Sequence, residues 1–158
     1  MARVTPVAIA LGSNVGDREQ YLRDAFAGLA PYVSHLRLSS LHETDPVGMT
    51  GPQRRVVNAA ATGETSLSAR DLLDRMLAIE TALGRERPHP GAARTVDLDL
   101  ILYGGAIIDE SPHVLVPHPR FRDRAFVLEP LAEIAGEWID PVTGRTVAQL
   151  LAELRRGR

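Results

Sequence analysis

The stretch "GAARTVDLDLILYGG", residues 91–105, decides how the chain is read. Apolar residues fill it from Val96 to Leu102, interrupted only by Asp97 and Asp99. Side chains alternate faces along a strand. That alternation predicts Val96, Leu98, Leu100 and Leu102 pointing toward helices, with Asp97, Asp99, Ile101 and Tyr103 on the opposite face. Residues two apart on a strand lie roughly 6.5–7 Å apart at Cα. Two carboxylates at that separation repel each other unless cations lie between them. Hard oxygen ligands suit Mg²⁺, which keeps waters and completes its shell with substrate phosphates. Two such ions about 3.5–4 Å apart clamp both sides of a phosphoryl displacement. The plainer alternative is a pair of surface acids, each bonded to an arginine. Arg85, Arg87 and Arg94 lie just upstream, and Arg120, Arg122 and Arg124 lie downstream with His118. Arginine forks match carboxylate and phosphate oxygens alike, so both readings stay open on these residues.

Working outward, "VAIALG" (7–12) reads as a short buried strand, and "SNVGD" as a turn. From Asp17 the apolar residues Tyr21, Leu22, Ala25, Phe26 and Leu29 form a helical face. "LRLSSLHET" (36–44) and "VVNAAATGET" (56–65) are strand-like, and "DPVGMTGPQRR" (45–55) between them is a loop. "LSARDLLDRMLAIETALG" (67–84) is the clearest helix. Ser68 and Asp71 resemble a capping box, and Gly84 is its stop. "RERPHPGAA" (85–93) is a second loop, and a short hairpin is expected around Ile107 and Ile108. "FVLEPLAEIA" (126–135) and "TVAQLLAELRR" (146–156) are helical. The order β-α-β-β-α-β predicts an α+β fold, a ferredoxin-like βαββαβ sandwich with extra C-terminal elements. Its helices are expected on one face of a mainly antiparallel sheet. No linker divides the 158 residues, so a single domain is expected.

Composition narrows the chemistry. Hydrophobic residues are 44% and charged residues 24%, as in soluble globular proteins. The apolar runs are strand-length, which speaks against a membrane partner. The N-terminus shows no secretory signal, and the chain has no cysteine; a cytoplasmic location is expected. A net charge of −2 without a basic block argues against nucleic acid as partner. All 18 basic residues are arginine. Without lysine there is no Walker lysine, no protein-kinase strand lysine and no Schiff base. "LGSN" at 11–14 precedes a helix, where Gly-Ser caps the helix or cradles a phosphate. With Asp-x-Asp it resembles polymerase-β-like nucleotidyltransferases, but here the two motifs are far apart in the chain.

Taken in order, "IALGSNVGDR", "HETDPVGMTGPQ", "VNAA", "IETALGRER", "ARTVDLDLILYG" and "VPHPRFRDRAFVLEPLAEIAG" resemble the 6-hydroxymethyl-7,8-dihydropterin pyrophosphokinases of folate biosynthesis. The resemblance runs from about residue 7 to residue 140. It implies pyrophosphoryl transfer from ATP to the pterin's hydroxymethyl oxygen, releasing AMP. It implies two Mg²⁺ ions on Asp97 and Asp99, and ATP held by Arg85, Arg87, Arg94, Leu100, His118 and Arg124. Arg85 and Arg94 are counted with the two acids as catalytic. The pterin side comprises Thr44, Asp45, Pro46, Val47, Val56, Asn58 and Phe126. Asn58 reads the ring's polar edge and Phe126 stacks on it, while Glu80 also matches a family position. No general base is assigned. A monomer or weak dimer is implied, with small molecules as partners.

Two departures bear on affinity. Family members usually carry an aromatic residue where this chain has Val56, so one side of the aromatic sandwich is missing. The usual Trp-Gly-Pro before the site arginine is replaced by Gly91, Ala92 and Ala93. The alternative they support is a non-catalytic pterin- or nucleotide-binding domain of the same fold.

Overall fold

A computed structural model describes residues 3–14, 16–44, 56–84, 96–111 and 113–157. In chain order the elements are β1 (Thr5–Ser13), α1 (Arg18–Leu29), β2 (Ser34–Leu38), β3 (His42–Thr44), β4 (Val56–Thr65), α2 (Ala69–Leu83) and β5 (Asp97–Tyr103). Then come β6 (Ile108–Glu110), β7 (Val114–Val116), a 3₁₀ turn at Phe121–Asp123, α3 (Ala125–Ala135) and α4 (Val147–Arg156). The main sheet runs β2-β4-β1-β5, with β3 also paired to β4. Every pairing in it is antiparallel. β6 and β7 form the expected hairpin. The loops expected at 45–55 and 85–93 lie outside the described residues.

Central strand β1 explains the layering. Val7, Ile9 and Leu11 point one way and are buried. They meet Val57, Ala59 and Ala61 of β4, Leu98 and Leu100 of β5, and Leu22, Ala25, Leu29, Leu72 and Met76 of α1 and α2. Both helices begin on side-chain caps: Asp17 Oδ1 accepts from the Gln20 N–H at 3.2 Å, and Ser68 Oγ from the Asp71 N–H at 3.1 Å. The opposite face of β1 is small, with Ala8, Ala10 and Gly12. Ala8 and Ala60 are packed there under Phe121, Val127, Leu128, Leu131, Val147, Leu150 and Leu151. The expectation of helices on one face is thus corrected: α3 and α4 cover part of the second face. Their apolar stripes need burial, and a floor of alanines admits a helix at close range.

The alternation expected along residues 96–103 also fails at one point. Ala8 of β1 pairs with Leu102, whereas Ile9 pairs with Leu100. Ile101 is therefore an extra residue, a β-bulge. Leu98 and Leu100 pack against α1 and α2, but Leu102 joins Ile101 in the α3 and α4 core. Tyr103 reverts to the first face, its hydroxyl donating to the Leu67 carbonyl at 2.7 Å. The segment 36–44 is not one strand. It breaks at Ser39–Leu41 into β2 and β3. Gly63 lets β2 approach: a Cβ there would lie 2.4 Å from Val33 Cγ1 and 2.7 Å from the Ser34 carbonyl oxygen.

The C-terminal elements are pinned by Asp140, whose side chain is wholly buried. Its carboxylate accepts from Arg122 Nε at 2.5 Å and Arg122 Nη2 at 3.0 Å, from the Val142 N–H at 3.1 Å and from Thr143 Oγ1 at 2.8 Å. Burial alone would raise its pKa, but the donors prevail, Arg122 foremost, and hold it below the ordinary value of 3.8. A lowered folded pKa contributes stability that is present above the unfolded value and lost as pH falls through the folded one. Asp140→Asn is therefore expected to cost about 3 kcal/mol at pH 7. Urea unfolding at several pH values tests this; below about pH 4 the gap between variant and parent should shrink.

Candidate active site

The site face is the one bearing Ala8, Ala10 and Gly12. Register places Asn58 of β4 opposite Gly12, and Gly12 opposite Asp97 of β5. One row therefore runs Asn58–Gly12–Asp97 across three strands, spanning roughly 10 Å. The next row is Ala60–Ala10–Asp99. On the other side of β4, His42 lies opposite Asn58 and Thr44 opposite Val56. Residues directly opposite in an antiparallel pair share a face. Thr44, Val56, Asn58, Asp97 and Asp99 thus lie on one surface.

Asn58 is buried, and its Nδ2 donates to Thr44 Oγ1 at 2.7 Å. Its Oδ1 leans over Gly12, where a Cβ would meet it at 3.3 Å. The carboxamide is held with one donor hydrogen and one acceptor oxygen left for a ligand edge. Val56 borders the same gap, its Cγ1 3.8 Å from that Cβ position.

On the acid side, Asp97 is exposed and Asp99 half-buried. Two backbone contacts hold their strand. Glu80, near the end of α2, accepts from the Leu98 N–H at 2.6 Å, between the two acids. The His118 N–H donates to the carbonyl of the bulge residue Ile101 at 3.0 Å. That bond brings His118 beside Asp99. Burial lowers the His118 pKa; the Asp99 charge opposes this, and Arg124 and Arg120 lower it further. Its Nδ1 accepts from the Arg120 N–H at 3.1 Å. Both the lowered pKa and the Arg120 contact favour the neutral ring, with Nδ1 as acceptor and Nε2–H as the remaining donor.

Arg124 caps α3, and its guanidinium lies 5.5 Å from the centroid of the Phe126 ring. The ring is also partly buried against the α3 and α4 core. Pro130 sits inside α3 and has no N–H to donate to the Phe126 carbonyl. Leu100 is placed differently: its side chain is buried against α1 and α2, which leaves only its backbone for a nucleotide. Asp45, Pro46, Val47, Arg85, Arg87 and Arg94, like Gly91, Ala92 and Ala93, lie outside the described residues. Among the described residues no group of three His, Asp or Glu side chains forms a metal cluster. Two carboxylates on one face still fit Mg²⁺, whose remaining positions go to water and phosphate. The sequence marks Gly12 with Ser13 as a helix cap or phosphate cradle; its place in β1 between Asn58 and Asp97 follows only from the register.

Residues 8–136 match the family model described as 7,8-dihydro-6-hydroxymethylpterin-pyrophosphokinase. A Bacillus subtilis 2-amino-4-hydroxy-6-hydroxymethyldihydropteridine pyrophosphokinase is 48% identical over 128 residues, 80% of this chain and 75% of that protein. A Synechocystis enzyme of the same name is 39% identical over 148 residues, covering 92% of this chain and 74% of its own. The wild-type HPPK-DHPS of Plasmodium falciparum shares the fold with a TM-score of 0.77 at 12% identity. That superposition covers 96% of this chain but 45% of the solved one.

The Glu80 contact is testable apart from any ligand. Glu80→Ala removes the acceptor of the Leu98 N–H and is expected to destabilise the fold by about 1–3 kcal/mol. Hydrogen exchange should show the Leu98 amide losing protection before the rest of β5; unchanged protection would refute the contact.

Proposed function

The chain belongs to the 7,8-dihydro-6-hydroxymethylpterin-pyrophosphokinase family, and on that premise we propose that this surface carries out the pyrophosphoryl transfer itself. ATP and 6-hydroxymethyl-7,8-dihydropterin are the substrates, and AMP and the pterin diphosphate are the products, in folate biosynthesis. The observation that carries the reading is the row Asn58–Gly12–Asp97: a recogniser of a polar ring edge, a bare floor, and an acid. A flat pterin laid over Gly12 puts its edge on Asn58 and its hydroxymethyl arm toward the acids.

The chain's own residues bind and orient. Asn58, oriented by Thr44, matches donor to acceptor on the ring edge. Phe126 stacks on that ring. Asp97 and Asp99 hold Mg²⁺, two ions by the family reading, which supplies neutralisation of phosphate charge when bound. Arg124 presents its guanidinium fork to the nucleotide's phosphates, while His118 adds an N–H donor. Arg85, Arg87 and Arg94 complete the phosphate side in this reading. The pterin hydroxyl oxygen bonds to the β-phosphorus and its proton passes to water, while the bond from that phosphorus to the α–β bridging oxygen breaks and AMP leaves. Positioning and charge neutralisation account for such transfers, so no side-chain base is assigned.

The strand order supports reading the framework as ferredoxin-like βαββαβ, with β6, β7, α3 and α4 as additions. No helix among the described residues is long and apolar enough to cross a membrane. A cytoplasmic monomer or weak dimer fits the family reading.

The test follows AMP release from ATP and Mg²⁺ with and without the pterin. Pterin-dependent AMP supports the reading; ADP formation, or pterin binding without turnover, contradicts it. Asp97→Ala and Asp99→Ala should each reduce AMP formation about a thousandfold while the protein stays folded by circular dichroism. A second series concerns the missing aromatic. Val56→Phe should place a ring over the Gly12 gap and tighten pterin binding roughly three- to tenfold, read by fluorescence titration. No gain in affinity would show that Val56 does not face the ring.

A further inference from the structure

Outside the roles assigned so far, one polar cluster joins α3 to the edge of the sheet. Glu133 accepts from the Ser40 N–H at 2.9 Å, from Ser40 Oγ at 2.9 and 2.8 Å through its two oxygens, and from His42 Nε2. Burial would raise its pKa, but the Ser40 and His42 donors hold it below the usual glutamate value. Ser39 fills the break just before. Its N–H donates to the Ala60 carbonyl at 2.9 Å, and its Oγ accepts from the Ala60 N–H at 2.8 Å.

The cluster is one of the ties on a short strand, alongside the pair of Arg18 with Glu43 at 3.0 Å. β3 has three residues and, among the described residues, pairs only with β4. So short an edge strand is marginal by its ladder alone. Yet it sets two things at the site. His42 stands opposite Asn58, and Thr44, two residues on, supplies the oxygen that takes the Asn58 Nδ2 hydrogen. If β3 drifts from β4, the Asn58 carboxamide loses its partner and turns freely. Both rotamers then compete, and only one matches the ring edge.

We propose that Glu133 is a positioning residue for pterin recognition, acting through Ser40 and His42 on β3 and through Thr44 on the Asn58 carboxamide. The proposal rests on the reading of Asn58 as the pterin-edge recogniser. Glu133 touches neither substrate. It keeps the competent orientation of Asn58 dominant, and apparent affinity scales with that population.

The experiment measures kcat, KM for the pterin and KM for ATP in Glu133→Ala, Glu133→Gln and Asn58→Ala, with melting temperature alongside. The side-chain amide of Asn58 is followed by NMR in ligand-free protein. If the competent population in Glu133→Ala falls to about a tenth, pterin KM rises roughly tenfold, with kcat and ATP KM within about twofold. Glu133→Gln, which keeps an acceptor for the Ser40 N–H, should recover most of that loss. The Asn58 amide pair should shift or broaden in Glu133→Ala. Should Glu133→Ala fold poorly, Ser40→Ala with His42→Phe removes the side-chain donors instead and is expected to show the same split. A lowered melting temperature with unchanged pterin KM and an unchanged Asn58 amide would make the cluster merely structural and overturn the proposal. So would equal changes in both KM values. Asn58→Ala separates the two layers of argument. If it leaves pterin KM untouched, the site reading fails and the proposal with it. If it raises pterin KM while Glu133→Ala does not, the brace alone fails.

Discussion

The two faces of β1 are unequal, and the rest of the molecule is arranged around that inequality. Val7, Ile9 and Leu11 fill the space under α1 and α2, while Ala8, Ala10 and Gly12 present almost no side chain to the opposite side. A central strand with one bulky face can be covered by long helices at ordinary distances. A strand with one bare face can be approached closely, by a helix at one end and by a ligand at the other. Alanines underlie α3 and α4, and Gly12 underlies the site. The same strand therefore closes a core and opens a floor, without a change of secondary structure between them.

The bulge at Ile101 does complementary work on β5. Without it, alternation would carry Leu102 into the α1 and α2 core and leave the α3 side short of an apolar contact. One extra residue turns both Ile101 and Leu102 toward α3 and α4. The acids lie before the bulge and keep their own face. The freed geometry also exposes the Ile101 carbonyl to the His118 N–H. A packing adjustment in the strand is thus what anchors the segment carrying His118 beside Asp99. Glu80 engages the same strand at Leu98, so Asp99 sits between tethers from α2 and from the segment after β7, with Asp97 just before the first.

The sequence made the element order legible because its signals are local. Ser68, Gly84 and the apolar stripe of α2 mark a helix without reference to anything distant, and the structure agrees within two residues. Asp97 and Asp99 were legible for a related reason: acids are conspicuous in an apolar strand. What could not be read depends on pairing. The bulge exists only relative to β1, so strict alternation misplaced Leu102 and Tyr103. The split of 36–44 goes with Ser39 Oγ, a side-chain atom, taking the Ala60 N–H. Coverage of the second sheet face depends on where α3 docks, which its apolar stripe demands but does not locate. At the site, the family resemblance singles out His118, whereas the state of its ring depends on burial and on the Arg120 N–H at its ring nitrogen.

Charge distribution across the site follows from these constraints. The acids stand at the open end of the face, where Asp97 keeps its hydration and Asp99 surrenders part of it. Two like charges roughly 6.5–7 Å apart in a partly dry site cost energy that a bound cation would remove. His118 in its neutral form adds no charge to offset them. Arg124, steadied on the Phe126 ring, is the nearby fixed cation among the described residues that enters the electrostatics of His118 most strongly. In the proposed reading a polyphosphate that arrives with Mg²⁺ would relieve this repulsion, so the two acids by themselves favour the metal-bound nucleotide over the free one.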